Sequence, residues 1–114
     1  MKSRIRRENG KIYLDKVVVN LSPYGLNARN SAVVSRMCGH YNRDIAFEKN
    51  GNRGNGKSIL DLMTLEADFG SVIDIIITGD DSGARTFAHK LLKGMKSEKN
   101  LYAASSEYYR KTHP

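Results

Sequence analysis

The stretch "SVIDIIITG" (71–79) is the firmest constraint on how this chain can fold. Its β-branched residues leave little choice but a buried strand. It runs straight into "SGARTFAHKLLKGM" (82–95), where Ala84, Phe87, Ala88, Leu91, Leu92 and Met95 recur at helical spacing. A strand followed by an amphipathic helix excludes all-β and all-α architectures.

The rest of the chain repeats this alternation. "LDKVVVNLS" (14–22) reads as a strand stopped by Pro23 and Gly25, and residues 28–38 as a helix ending at Gly39. "RDIAFEK" (43–49) alternates like a strand, and "NGNRGNGK" (50–57) as a turn with a weak edge strand. "SILDLMTLEA" (58–67) reads as a short apolar helix. Upstream, Asn9-Gly10 lies between β-compatible residues, which favours a type I′ turn and a hairpin arm. The order β-α-β-β-α-β-α points to an α+β sandwich, a mixed or antiparallel sheet with helices on one face. Residues 96–114 read as a tail without clear period, although "NLYAASSEYYR" could form a helix.

At 114 residues with 39% apolar and 27% charged residues, one globular domain is expected. The net charge of +7 sits at the ends: residues 1–12 carry +4, residues 13–94 only +1, and residues 95–114 carry +2. Such flanks usually solubilise, so nucleic-acid binding is unlikely on charge alone. A lone Cys38 excludes an intrachain disulfide and a CxxC metal knuckle, so no metal and no cofactor are expected. With no apolar h-region and no run of about 20 apolar residues, the expectation is a cytoplasmic protein without membrane attachment.

The stretch "GLNARNSA" (25–32), "GKSILDLMTLEA" (56–67) and "GSVIDIIITGDD" (70–81) together resemble the HPr family. HPr is the histidine-containing phosphocarrier of the bacterial sugar phosphotransferase system. The resemblance spans residues 13–95, leaving 1–12 as a basic extension and 96–114 as the tail. It implies an open-faced βαββαβα sandwich, a four-stranded antiparallel sheet under three helices.

Family members usually read Gly-Leu-His-Ala-Arg-Pro, and the histidine carries the phosphoryl group from Enzyme I to sugar-specific proteins. Here Gly25, Leu26, Ala28 and Arg29 match, whereas Asn27 replaces the histidine and Asn30 the proline. An amide has no basic nitrogen lone pair to attack phosphorus, so no catalytic residue, no relay at position 27 and no enzyme activity are expected. Asn is instead a strong N-cap, and Asn30 restores the N–H that proline would lack. Asn27, Ala28 and Arg29 at the helix mouth still suit weak binding of an anion. His40, His89 and His113 lie outside the motif.

Ser58 stands where some members carry a regulatory serine phosphorylated by HPr kinase/phosphorylase, and Glu66 where many have glycine. Ser58 followed by Asp61 also resembles a capping box. With Arg29, Leu60 and Met63 as docking residues, the implied partners are that kinase, a transcriptional regulator or phosphotransferase-system proteins. A serine without the acceptor histidine is similar to catabolite-repression members of the family. The rival reading is a P-loop, because "GNRGNGKS" (51–58) fits its pattern with Lys57 on phosphates and Ser58 on Mg²⁺. Its short following helix and the single strong strand after it weigh against that reading.

Overall fold

The computed structural model describes residues 4–112, with side chains to residue 106. Five strands and four helices follow one another as β1 (Arg4–Glu8), β2 (Lys11–Val18), α1 (Ala28–Gly39), β3 (Ile45–Lys49), β4 (Asn52–Asn55), α2 (Ile59–Thr64), β5 (Val72–Thr78), α3 (Ser82–Gly94) and α4 (Glu98–Thr112). The strands form one antiparallel sheet in the order β1-β2-β5-β3-β4. The α+β sandwich is as expected, with one strand and one helix more than the resemblance implied.

The extra strand comes from the Asn9-Gly10 turn. Both residues hold positive φ, 54° and 71°, so β1 folds back on β2 with Glu8 opposite Lys11. A second Asn-Gly pair, Asn50-Gly51 at φ 51° and 82°, turns β3 into β4.

Register places one face of the sheet in the core. Ile12 and Ile45 both pair with Ile77, and Leu14 and Phe47 with Ile75; all are buried. Strict alternation would next turn Lys16 inward. A bulge between Leu14 and Val17 prevents this: Lys16 takes φ 55°, its N–H donates to Asp74 Oδ1 at 2.9 Å, and Val17 faces Ile73 instead.

Two helical expectations change. The helix read over 58–67 stops at Thr64, because Glu66 adopts φ 54°, the left-handed conformation that glycine accepts most readily. The stretch read as a tail forms α4. Ser97 Oγ accepts from the Asn100 N–H at 3.0 Å to start it, and Leu101, Ala104 and Ser105 are buried. Gly94 lets α3 and α4 approach closely, since a Cβ there would lie 3.2 Å from a Leu101 methyl.

Candidate functional site

The loop into α1 is held where only glycine fits. Gly25 has φ 65°, and a Cβ on it would lie 2.4 Å from the Ala67 carbonyl oxygen. The Leu26 N–H donates to that same oxygen at 2.8 Å, tying the start of α1 to the segment just beyond α2. Asn27 is extended (φ −73°, ψ −178°), and its Oδ1 accepts from the Asn30 N–H at 2.9 Å. The acceptor position is therefore a helix cap. α1 has no acidic residue in its own first turn, and the carboxylate that meets this end of its dipole is Glu98 of α4. Asn27 is half-buried, while Ala28 and Arg29 are exposed.

Asn30 does more than supply an N–H. Its side chain is fully buried, and Nδ2 donates to the Gly25 carbonyl at 2.7 Å and to Glu98 Oε2 at 2.8 Å. Its Oδ1 accepts from the Tyr102 hydroxyl at 2.9 Å. Every donor of the amide is used, as a buried polar side chain requires. The Arg29 guanidinium lies over the Tyr102 ring, 5.2 Å from its centroid. Glu98 and Tyr102 thus belong to the surroundings of α1's first turn, and no local pattern announced them. The one clue was their four-residue spacing, which puts both on one face of a helix.

Ser58 caps α2, its Oγ accepting from the Asp61 N–H at 3.2 Å. The capping box forms only by half. The Asp61 carboxylate turns to the Asn55 N–H of β4 at 2.9 Å, while the Ser58 N–H donates to the Asn55 carbonyl. The Lys57 ammonium donates to the Tyr41 carbonyl at 2.7 Å, just past the end of α1.

These ties fix how α1 and α2 lie. The start of α1 meets the end of α2, and the end of α1 meets its start. Asn27 and Ser58 therefore sit at opposite ends of α1, whose 12 residues span about 18 Å. Between them α2 exposes Leu60 (69%), Ile59 and Met63 (39%), with Tyr24 and Phe69 exposed on the loops at the Asn27 end. Of the expected docking residues, Leu60 and Met63 thus lie exposed on α2, which Ser58 starts, whereas Arg29 lies toward Tyr102 of α4.

The rival P-loop has no such support. Residues 52–55 are an edge strand of an antiparallel sheet, Lys57 is spent on a backbone carbonyl, and α2 is six residues long. Of the basic flank, Arg6 is paired with Asp15 and Glu8. His40 is exposed beyond the C-terminal end of α1, far from Asn27, and His89 is exposed on α3; His113 lies outside the described residues. Among the described residues, no helix is long and apolar enough to cross a membrane.

The chain is similar to known proteins. A family model described as "PTS HPr component phosphorylation site" matches residues 15–93. The HPr-like protein Crh of Bacillus subtilis is 36% identical over 66 residues, covering 58% of this chain and 76% of its own. Crh of Halalkalibacterium halodurans is 39% identical over 57 residues, covering 50% and 68%. The crystal structure of the phosphocarrier protein HPr from Bacillus anthracis superposes with a TM-score of 0.65 at 32% identity, covering 74% of this chain and 95% of that one. With the family model matching most of its length, the chain belongs to the HPr family and is similar to its catabolite-repression members.

Proposed function

We propose that this chain is a cytoplasmic regulatory protein-interaction module of the HPr family that does not relay phosphoryl groups through position 27, with Ser58 as its switch. The observation that carries the reading is the Asn27 side chain. Its oxygen is committed to the Asn30 N–H, and its nitrogen lone pair is delocalised into the amide, so it has nothing with which to attack phosphoenolpyruvate-derived phosphate. An anion such as sulfate or phosphate would bind weakly at Asn27, Ala28 and Arg29 without being transferred.

Ser58 suits a switch for electrostatic reasons. A phosphate on its Oγ would place about −1.5 to −2 charge at the start of α2 and next to Lys57 in sequence. The same group would sit at the edge of the exposed Ile59, Leu60 and Met63 row, changing what can dock there. HPr kinase/phosphorylase, a transcriptional regulator and phosphotransferase-system proteins are the partners this reading implies.

Two parallel reactions test the reading. The protein is incubated with phosphoenolpyruvate and Enzyme I, and separately with ATP and HPr kinase, and phosphate is located by mass spectrometry. Acid-stable phosphate on Ser58 from the second reaction alone is the expected result. Acid-labile phosphate from the first would refute the absence of relay, and an unmodified Ser58 would remove the switch.

A further inference from the structure

Helix α4 grips the start of α1 with two chemically different contacts. Its apolar side is anchored through Leu101 and Ala104, both buried. Its polar side presents Glu98 and Tyr102, half-buried and one turn apart, to Asn30 and Arg29. A carboxylate on an amide N–H and an aromatic ring under a guanidinium are what an acidic, aromatic-bearing partner would offer the same two residues.

We propose that α4 is an intramolecular competitor for the α1 docking face. It holds Arg29 on the Tyr102 ring, and an acidic partner that recruits Arg29 must first displace that contact. This rests on the reading of Arg29 as a docking residue. A tethered group acts at an effective concentration of about millimolar, so it competes with a free partner without needing a strong contact of its own. The anchor through Leu101 lets the polar contact open while α4 stays attached, so Tyr102 can release Arg29 without unfolding the helix.

The test uses the full chain with Asn27→His as a reporter, its phosphorylation rate by Enzyme I and phosphoenolpyruvate measuring access to the start of α1. Tyr102→Leu keeps apolar bulk but removes the ring, and should raise the reporter's rate about threefold or more. Tyr102→Phe keeps the ring and loses only the hydroxyl bond to Asn30, so the rate should stay near that of the Asn27→His parent. In parallel, the Arg29 Nε–H resonance should shift in Tyr102→Leu as the ring current is lost, and hold in Tyr102→Phe. Equal rates for the Leu variant and the parent, zero in both included, would overturn the proposal. So would an unmoved Arg29 resonance, or a Phe variant as fast as the Leu one. Phosphate on a chain that retains Asn27 would instead refute the absence of relay and leave this comparison intact.

Discussion

Replacing Asn30 with alanine removes the Gly25, Glu98 and Tyr102 hydrogen bonds at a fully buried position in one step. A neutral hydrogen bond contributes about 1 kcal/mol net and one to a charged group about 1.5–3 kcal/mol. Glu98 and Tyr102 are half-buried and partly rehydrate, which offsets some of the loss, whereas Gly25 is buried and its carbonyl does not. The expected cost is about 2–4 kcal/mol, a fall in Tm of roughly 8–16 °C for a domain of this size. Urea and thermal unfolding of the Asn30→Ala protein, with the urea slope checked against the parent, give the number directly. Tyr102→Phe alone should cost about 1 kcal/mol, and the double variant should be less unstable than the two singles added, with a coupling of about 1 kcal/mol. A cost for Asn30→Ala below about 0.5 kcal/mol, or strict additivity in the cycle, would show that the Asn30 network does not hold α4 to α1.

Two further outcomes follow from single residues. Glu66→Gly should raise stability by about 1 kcal/mol in urea, because a side chain no longer has to occupy the left-handed φ of 54°; a loss instead would mean the Glu66 side chain makes a contact that outweighs the strain. The Arg43 guanidinium, helped by the Ala84 N–H, holds the Asp81 carboxyl down from 3.8 to about 2. A depressed carboxylate contributes stability that is complete above its unfolded value and fades as pH falls from about 4 through about 2. Asp81→Asn should therefore flatten the decline in Tm over that window, and an unchanged acid limb would refute the Arg43 pairing.

Much of the fold was legible because its signals are local. The cap at Asn27 and the Asn9-Gly10 turn each depend on residues within a few positions. Strand β5 declares itself through β-branched residues at every position but Asp74. What failed to show depends on partners far along the chain. Among its described side chains, helix α4 buries only Leu101, Ala104 and Ser105, too weak a stripe to stand out amid alanine and serine. The spacing of Ser58 and Asp61 fits a capping box, yet β4 offers Asp61 an N–H that only the folded hairpin brings near. Asn30 looked like a replacement for proline that restores an N–H. That is true, but its side chain has Glu98 and Tyr102 as partners, 68 and 72 positions away.

That separation bears on the order in which the protein matures. While the chain emerges from its N-terminal end, the sheet and α1 can assemble around Ile12, Leu14, Ile75 and Ile77, but the Asn30 side chain has only Gly25 of these three partners until Glu98 and then Tyr102 have been made. Proline in this position would ask nothing of later residues; asparagine leaves the first turn of α1 unfinished until the last helix arrives. The start of α1 is thus encoded early and completed late, and any species that lacks a docked α4 would reveal itself first at Asn30.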